Sequence, residues 1–332
     1  MSTPADPTSK LPVLLDGRAA LLGRPGGWER CTRQLVEQLG DVVTVAPRRP
    51  MSRPAATAWE WTALPANAAR HELTHFPAFP PTPAVRGPVV YTLHDLVWWR
   101  YPQTSSRGGR WYYRRLAARA LRKAHVVTVS RAVADEIVRD LGVAAERVDV
   151  ISPGVRVPDP GVVPEARDRP YVLTVGAIEP RKNLERLLHA WADSGAAAAA
   201  DLLLVGRQAW GRLPDGALHL GAVADERLQS LYRGATAVVS ASLYEGFGLP
   251  VAEALAAERP VLCSDIPAFR EVAGGNATFV DPYDVSALAE GLRAAATGAL
   301  APPAAGAASR FSWDRFAAEH VELYGRLLGS RT

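Results

Sequence analysis

Short runs of aliphatic and β-branched residues alternate with segments of helical periodicity along the whole chain. This alternation is typical of parallel sheets whose strands are joined by helices. In the first half, the pattern predicts strands at 13–15, 42–45, 89–93 and 126–129. It predicts helices at 30–39, 110–123 and 130–141, the last capped by Ser130. The first half therefore indicates one doubly wound α/β unit.

The same rhythm restarts after residues 153–170, which contain five prolines and have no sustained period. Such a segment indicates a linker between domains. Beyond it, the pattern predicts strands at 171–175, 201–205, 237–240 and 260–264, helices at 184–192 and 250–257, and a final amphipathic helix at 313–328. We therefore predict one domain at 1–155, a second at 156–310, and a terminal segment at 311–332 that packs back on the first.

Composition supports two globular domains and sets limits on the partners. The chain has 332 residues, which is more than one hydrophobic core usually organises. Its 48% hydrophobic and 22% charged content is ordinary for a globular protein. The formal net charge of +4 suits an anionic substrate but does not mark a nucleic-acid binder. We therefore expect no nucleic-acid partner.

Two further features concern location and the cysteines. No apolar run approaches the roughly 20 residues needed to span a bilayer, and the first residues lack the apolar core of a signal peptide. We therefore expect a cytoplasmic protein. Cys31 and Cys263 are far apart without metal-type spacing, so we expect both to be buried thiols.

The most informative segment is SLYEGFGLPVAE at 242–253, which joins a predicted strand to a helix expected to begin at Pro250. Gly246 and Gly248 allow a ligand to approach the backbone closely, and the helix start offers amide groups and a positive dipole to a diphosphate. Glu245 and Glu253 flank that start, where carboxylates can bind sugar and ribose hydroxyls. Carboxylates near a helix start also simply complement the helix dipole, so this alternative stays open for Glu253.

A second segment, GAIEPRKN at 176–183, follows the strand at 171–175 and precedes a helix for which Asn183 is the expected N-cap. Ligands of doubly wound folds bind at the carboxyl ends of strands. Arg181 and Lys182 are therefore expected as exposed loop cations that neutralise a phosphate, Arg181 through its planar fork and Lys182 as a point charge. Ordinary solvated surface charges are the alternative explanation.

Together these two segments resemble the donor domain of retaining glycosyltransferase family 4, and further motifs resemble its mannosyltransferase-type branch. Those motifs are GG at 26–27 with Arg30 and Thr32, YTLHDL at 91–96, YP at 101–102, VTVSR at 127–131, LGV at 141–143, ERV at 146–148, SPGV at 152–155 and SDIP at 264–267. The resemblance covers nearly the whole chain. It implies the GT-B fold, an α/β architecture of two Rossmann-like doubly wound domains facing an interdomain cleft.

The resemblance implies roles for four residues in catalysis. His94 would reach the transferred sugar from across the cleft, while Arg181 and Lys182 contact the diphosphate. Glu245 would face the hydroxyls of the donor sugar. From the residues alone, His94 ends a predicted strand, and a purely structural histidine is the alternative.

The resemblance also implies a donor-binding set. It comprises Gly26, Gly27, Gly221, Val223, Gly246, Phe247, Gly248, Leu249 and Glu253. Gly26 and Gly27 would close over the diphosphate and Glu253 would hold the ribose. The base would lie near Gly221 and Val223, because LGAVADE at 220–226 resembles the family's base-pocket segment.

Three positions depart from the family's pattern. Trp28 and Glu29 stand where the family usually has a small apolar residue and a third glycine. Ala177 stands where many relatives carry a donor-binding arginine, which leaves Arg181 and Lys182 as the main cations.

The expected reaction is transfer of a hexose from a nucleotide-diphosphate sugar to a glycan, lipid-linked or small-molecule acceptor, natural products included. The branch resembled favours GDP-mannose as donor, with UDP-, dTDP- or ADP-sugars as alternatives. No cofactor and no metal are expected, because the chain has no Asp-x-Asp motif and its cations would replace a metal ion. The basic helix at 110–123 suggests peripheral contact with the inner face of a membrane, with an ordinary solvated helix face as the alternative.

Other functions fit the same architecture. A sugar-nucleotide epimerase is one, although its acid and base carboxylates are not evident in the sequence. A non-catalytic nucleotide-sugar-binding protein is another, against which the set of Glu245, Lys182 and His94 argues. An oxidoreductase is disfavoured because no predicted strand is followed by Gly-x-Gly-x-x-Gly.

Overall fold

The computed structural model describes residues 11–23, 26–102, 107–159, 161–209 and 215–329. The chain forms two compact units. Unit 1 comprises residues 1–154 and 313–332, and unit 2 comprises residues 155–312. The chain therefore leaves unit 1 once, builds unit 2 as one continuous segment, and returns.

The centre of unit 1 is a parallel sheet of six strands. They are β1 (Val13–Asp16), β2 (Thr44–Ala46), β3 (Leu73–Phe76), β4 (Val89–Leu93), β5 (His125–Thr128) and β6 (Val148–Val150). Their order across the sheet is β2-β1-β3-β4-β5-β6. The order reverses between β1 and β3, so the carboxyl ends of these strands form the switch point of the first sheet.

Seven α-helices belong to unit 1 in the part of the chain that the structure describes. They are α1 (Gly27–Leu39), α2 (Arg53–Trp61), α3 (Ala63–Ala68), α4 (Val97–Arg100), α5 (Arg107–Ala120), α6 (Arg131–Leu141) and α12 (Trp313–Gly329). Ser130 caps α6 as predicted, because its Oγ accepts a hydrogen bond of 3.2 Å from the amide of Val133. Phe316 and Tyr324 of α12 are buried in the same core as Val13 and Leu35, so the last helix completes the core of unit 1.

Unit 2 contains a second parallel sheet of six strands. They are β7 (Tyr171–Val175), β8 (Asp201–Val205), β9 (Leu218–Gly221), β10 (Ala237–Ser240), β11 (Val261–Ser264) and β12 (Thr278–Val280). Their order is β12-β11-β10-β7-β8-β9, which is the Rossmann order with its switch point between β7 and β10.

The α-helices of unit 2 follow their strands closely. They are α7 (Leu184–Ser194), α8 (Asp225–Gly234), α9 (Leu249–Ala256), α10 (Pro267–Ala273) and α11 (Val285–Ala296). Helices α7 and α11 cover the sheet through Leu187, Leu188 and Leu292, all of which are buried. The predicted α/β fold of two doubly wound parallel sheets is confirmed. Cys31 and Cys263 are buried free thiols, also as predicted.

Four strands were not predicted from the hydrophobic pattern, namely β3, β6, β9 and β12. Each has only three or four residues, and their sequences LTHF, VDV, LHLG and TFV contain polar residues within the strand. A short run of this kind has too few aliphatic positions to show a period. Parallel pairing supplies these strands with backbone partners that a pattern along the chain does not reveal.

Two buried histidines lie between α12 and the sheet of unit 1. His75 on β3 and His320 on α12 are both 0% exposed, and their rings stack at a centroid distance of 5.5 Å. The Nδ1 of His75 lies 2.6 Å from the Tyr324 hydroxyl, and its Nε2 lies 2.8 Å from Thr92 Oγ1. His320 Nδ1 donates to the carbonyl oxygen of Phe316 at 2.7 Å, whereas its Nε2 has no partner among the described residues.

Burial disfavours the charged form of both rings. It lowers the pKa of His320 to about 4, with the nearby His94 acting in the same direction and the hydrogen bond to the Phe316 carbonyl opposing it. It also holds the pKa of His75 well below its ordinary value, with the nearby His320 and His94 acting in the same direction. Both histidines are therefore neutral in folded unit 1 at pH 7.

Acid is expected to destabilise unit 1 through this pair. Because the folded pKa lies below the unfolded value of about 6.5, stability is at its full value above pH 6.5 and is lost as the pH falls toward 4. The lowering of the His320 pKa from 6.5 to about 4 means that protonation of this ring removes about 3 kcal/mol of folding free energy. We expect the thermal unfolding midpoint of His320→Phe to fall less between pH 7.5 and 4.5 than that of the wild type. His189→Gln, which alters a histidine that is 70% exposed, should follow the wild type. Equal pH dependence in all three proteins would contradict the prediction.

Candidate active site

The loops that follow β7 and β10 lie at the switch point of the second sheet. Residues 176–183 follow β7, and residues 241–248 follow β10. The amide of Leu243 donates a hydrogen bond of 2.8 Å to the carbonyl oxygen of Arg181, which joins the two loops. Open α/β sheets bind ligands at this point, outside the carboxyl ends of their strands. The two most informative sequence segments therefore meet where a ligand is expected.

An ion-pair cluster links the side chains of these loops. One carboxylate oxygen of Glu245 accepts hydrogen bonds from Lys182 Nζ at 2.5 Å and from Ser242 Oγ at 2.8 Å. The other accepts from Arg181 Nη1 at 2.8 Å. Glu245 is 9% exposed, Lys182 11% and Arg181 15%. Two cations are thus fixed on opposite oxygens of one buried carboxylate.

The charge of this carboxylate depends on its two cations. Burial alone would raise the pKa of Glu245, because it removes water from the charged form. The charges of Lys182 and Arg181, with the hydrogen bonds from Lys182 and Ser242, outweigh burial and lower the pKa to about 2. Glu245 is therefore ionised at neutral pH and can accept hydrogen bonds from hydroxyl groups.

The expectation of exposed cations is wrong for Arg181 and Lys182. Both are largely buried, because Glu245 attracts them into the switch point. Sequence separation hid this contact, since Lys182 and Glu245 lie 63 residues apart. Arg181 Nε also donates to Glu179 at 3.0 Å, and Nη1 donates to the carbonyl oxygen of Tyr244 at 3.2 Å. These contacts hold the cationic groups in one orientation before any ligand binds.

The expectation that Asn183 caps α7 through its side chain is also wrong. Asn183 has a φ of 58°, in the left-handed region, and makes no side-chain cap bond. Its Nδ2 instead donates to the carbonyl oxygen of Pro282 at 2.9 Å, and its Oδ1 accepts a hydrogen bond from Arg186. The left-handed backbone turns the side chain away from the first amides of α7. Asn183 therefore anchors the loop at 176–183, which carries Arg181 and Lys182, to the segment before α11.

Helix α9 begins directly after the second loop, at Leu249 rather than at the predicted Pro250. Gly248 is its N-cap and has a φ of 104°, which strongly favours glycine. A Cβ atom there would also lie 2.7 Å from the ring of Phe269. The neighbouring Phe247 is buried and packs edge-on against Phe311 at 5.1 Å. The loop is therefore fixed at the positive end of the α9 dipole.

Glu253 lies on α9 and is half-buried. One of its carboxylate oxygens accepts a hydrogen bond of 2.8 Å from the hydroxyl group of Tyr232. Sequence reasoning missed Tyr232, because its position near the end of α8 resembles an ordinary core tyrosine. The partner becomes visible only when α8 and α9 are placed side by side.

The predicted base-pocket residues lie on the path from β9 to α8. Gly221 ends β9 with a φ of 69°, and its carbonyl oxygen accepts a hydrogen bond of 2.8 Å from the amide of Gly206. Val223 is half-buried in the connection to α8. Gly221 thus lies at the carboxyl end of β9 and Val223 just beyond it, where ligand-binding loops of this fold are found.

The predicted glycine pair of unit 1 starts α1. Gly26 is the N-cap and Gly27 the first helical residue, so α1 begins three residues before the predicted start. The carboxylate of Glu29, which is 4% exposed, occupies the space that a side chain on Gly26 would need. Trp28 packs edge-on against Phe79 at 5.5 Å. The two unusual residues therefore give this loop a buried carboxylate in the first turn and an aromatic support.

His94 directly follows β4 in unit 1 and is half-buried. Its Nε2 lies 2.7 Å from the carbonyl oxygen of Pro77, and because a carbonyl only accepts, Nε2 is the protonated nitrogen. Burial lowers the pKa of His94, although the Pro77 carbonyl and the charge of Asp95 partly oppose this. The ring is therefore neutral at pH 7, with the lone pair of the neutral ring on Nδ1.

The structure brings Arg181, Lys182 and Glu245 into direct contact in unit 2. Gly246, Gly248 and Leu249 lie on the same loop and helix start. Gly26, Gly27 and His94 belong to unit 1. The roles of all these residues in substrate binding stay predictions.

Two other expectations concern metals and membranes. No group of three or more metal-ligating side chains occurs within the described ranges. On the basic helix predicted at 110–123, the side chains at 110–113 lie outside the described part, whereas Arg114, Arg115 and Arg119 are exposed. Leu116 and Ala117 are buried, so the second half of α5 has one apolar face in the core and one basic face exposed. Among the described helices, none combines the length and the apolar character that a bilayer crossing requires. The proposed membrane contact and cytoplasmic location stay predictions.

Two family models match the chain in succession. The model described as Glycosyltransferase Family 4 matches residues 29–157, and the model described as Glycosyl transferases group 1 matches residues 159–299. The first match lies mainly on unit 1 and the second within unit 2. Together they leave only the two ends of the chain and one residue between them unmatched.

Curated relatives include named mannosyltransferases. The chain is 33% identical over 217 residues to the O-antigen chain mannosyltransferase RfbU of Salmonella typhimurium, a match that covers 61% of this chain and 59% of RfbU. It is 30% identical over 231 residues to the MMP alpha-(1->4)-mannosyltransferase of Mycolicibacterium hassiacum, covering 60% of this chain and 54% of the relative. The matched region thus spans a little over half the length of these relatives.

Solved structures share the fold at low sequence identity. Sucrose-phosphate synthase from Thermosynechococcus elongatus superimposes with a TM-score of 0.74 at 21% identity, covering 97% of this chain and 100% of that chain. Anabaena HepE in complex with UDP and glucose gives a TM-score of 0.66 at 20% identity, covering 94% and 99%. Because successive glycosyltransferase family models match both units, the chain belongs to glycosyltransferase family 4, and it has the GT-B fold.

Proposed function

We propose that this protein is a retaining glycosyltransferase that moves a hexose from a nucleotide-diphosphate sugar to a hydroxyl group of a glycan acceptor. The observation that carries the proposal is the cluster of Arg181, Lys182 and Glu245 at the switch point between β7 and β10. The start of α9 follows on the same loop. Cations, a helix start and an ionised carboxylate are the groups that a diphosphate joined to a sugar requires.

The cations act on the leaving group. When the bond between the anomeric carbon and the diphosphate oxygen breaks, its electron pair stays on the diphosphate, and negative charge grows there. Arg181 and Lys182, already held in place by Glu245, stabilise that charge together with the start of α9. Because these groups are oriented beforehand, little reorganisation is needed in the transition state.

The carboxylate and the histidine act on the sugar. Glu245 is ionised at neutral pH and accepts hydrogen bonds from sugar hydroxyls. His94 is neutral and accepts a hydrogen bond from the transferred hexose through Nδ1. The acceptor oxygen bonds to the anomeric carbon on the face that the diphosphate leaves, and its proton passes to a leaving phosphate oxygen. This path keeps the anomeric configuration and needs no covalent nucleophile from the protein.

The names of the relatives support mannose as the transferred sugar, and the resemblance to the mannosyltransferase-type branch favours GDP-mannose as its donor. RfbU and the Mycolicibacterium hassiacum protein are both named as mannosyltransferases. HepE, by contrast, is described in complex with UDP-glucose. Experiment must therefore identify the nucleotide base. The O-antigen chain in the name of RfbU supports a glycan as the proposed acceptor.

A thermal-shift screen with GDP, UDP, dTDP and ADP tests the donor. A ligand at 100 times its dissociation constant stabilises the folded state by about 2.7 kcal/mol, and GDP is expected to give the largest shift. Product analysis with GDP-mannose and a mannan oligosaccharide should then show release of GDP that depends on the acceptor. A protein that no nucleotide stabilises would contradict the proposed function.

Chelation is expected to leave the reaction largely unchanged. Arg181, Lys182 and the start of α9 supply the positive charge that a divalent ion would otherwise bring to the diphosphate. Initial rates should be compared with EDTA, with Mg²⁺ and with Mn²⁺. An absolute requirement for either ion would show that the cations alone do not suffice.

A further inference from the structure

Glu253 occupies an unusual position on α9. The helix has the sequence LPVAEALA, in which Glu253 is the single ionisable residue. Its neighbours Val251, Ala252, Ala254 and Leu255 are all buried. A carboxylate on such a helix loses part of its hydration, which costs free energy unless polar partners replace the water. The Glu253 carboxylate therefore needs a polar group that stabilises it and a function that accounts for its presence.

Tyr232 is a partner of that carboxylate. It lies near the end of α8, is 3% exposed, and its hydroxyl group lies 2.8 Å from Glu253 Oε2. The same hydroxyl is 3.5 Å from the carbonyl oxygen of Pro250, a much longer contact. Because the buried phenol ring has little freedom, the bond fixes the position of one carboxylate oxygen. The orientation of Glu253 is thus set from a different helix.

We propose that Tyr232 is a positioning residue that orients the Glu253 carboxylate toward the ribose hydroxyls of the donor nucleotide. This inference rests on the proposed function, in which Glu253 holds the ribose. A carboxylate fixed in this way accepts hydrogen bonds from the 2′- and 3′-hydroxyls together. The Tyr232–Glu253 pair therefore makes the protein select ribonucleotides that carry both hydroxyl groups.

The same pair also disfavours binding of nucleotides that lack the ribose hydroxyls. A nucleotide without ribose hydroxyls would leave the half-buried carboxylate without the donors that it is placed to meet, and an unmatched charged group is penalised. Without Tyr232, the carboxylate could turn away, and the penalty and the preference would both shrink. Tyr232 thus acts on specificity through Glu253 and makes no contact with the reacting atoms.

Calorimetry with matched nucleotides tests this inference. Binding of GDP and of 2′,3′-dideoxy-GDP, and likewise of UDP and 2′,3′-dideoxy-UDP, should be measured for the wild type and for Tyr232→Phe. We expect Tyr232→Phe to weaken the ribonucleotide about tenfold, as loss of an oriented charged hydrogen bond does, and to leave the dideoxy analogue nearly unchanged.

Tyr171→Phe provides a matched control. It too removes a buried tyrosine hydroxyl that bonds to α8, since Tyr171 donates to the carbonyl oxygen of Leu231 at 2.8 Å. Tyr171 lies at the start of β7, at the opposite end of the strand from the loop at 176–183. We expect Tyr171→Phe to leave the preference for ribonucleotides at the wild-type value even if it lowers the melting temperature.

A double-mutant cycle with Glu253→Gln checks that the two residues act as a pair. If Tyr232 works through Glu253, the combined variant should lose little more ribonucleotide affinity than Glu253→Gln alone. Additive losses, equal weakening of both nucleotides, or unchanged selectivity in Tyr232→Phe would each overturn the inference. A wild type that binds neither GDP nor UDP would instead contradict the proposed function, and the inference would fall with it.

Discussion

Lys182→Ala is expected to lower kcat about 30- to 1000-fold at saturating donor, which corresponds to about 2 to 4 kcal/mol of transition-state stabilisation. Arg181→Ala should have an effect of the same order. In the proposed reaction, both cations stabilise charge that grows on the diphosphate as the donor bond breaks. Turnover should be measured with purified protein under multiple- and single-turnover conditions. Wild-type rates in both variants would contradict the assignment of the leaving-group site.

Stability must be measured alongside these rates, because Lys182 also neutralises the buried Glu245. Breaking a buried ion pair can cost about 3 to 5 kcal/mol, and the cost here is smaller because Arg181 and Ser242 still contact the carboxylate. Rates should therefore be normalised to the folded fraction at the assay temperature. Arg227→Ala is the control, since it removes a cation of unit 2 that is 49% exposed and paired with Glu165. It should change neither quantity appreciably.

His94→Ala is expected to keep the affinity for the nucleoside diphosphate near the wild-type value while lowering sugar transfer about 100-fold or more. The reason is that His94 would bind the hexose through its neutral ring, whereas the nucleotide contacts are proposed to come from unit 2. Glu253→Ala should have the opposite profile, with nucleotide binding weakened about tenfold by the loss of the ribose contact.

Calorimetry with the nucleoside diphosphate and a product assay separate these two profiles. His189→Ala, which removes a histidine that is 70% exposed, is the control for His94 and should behave as wild type in both measurements. The division of roles would be wrong if His94→Ala abolished nucleotide binding and Glu253→Ala left it intact.

The sequence predicted those parts of the fold that are encoded locally. Strands such as β7 and β10 consist of buried aliphatic residues, and Ser130 caps α6 through an interaction three residues along the chain. The four short strands that were missed contain polar residues, and their pairing depends on neighbours that are distant in sequence. The prediction that the Asn183 side chain caps α7 was wrong, because residue type alone does not reveal a left-handed backbone.

The candidate site was predictable as a set of segments but not as a set of contacts. The motif at 242–253 and the loop at 176–183 each suggested phosphate or sugar binding through residue type. Neither predicted that Arg181 and Lys182 would be buried against Glu245, because that contact depends on the order of strands in the second sheet. Tyr232 was missed for the same reason, since its link to Glu253 joins two helices.

The return of the chain to unit 1 sets the order in which the two units receive their complete sequences during synthesis. Residues 155–312 form unit 2 without interruption, so this unit has its whole sequence as soon as residue 312 has left the ribosome. Unit 1 still lacks Phe316, Leu323 and Tyr324 at that moment, and these residues complete its hydrophobic core. Domains generally fold as units. The half of the protein whose synthesis begins first is therefore the half whose sequence is completed last.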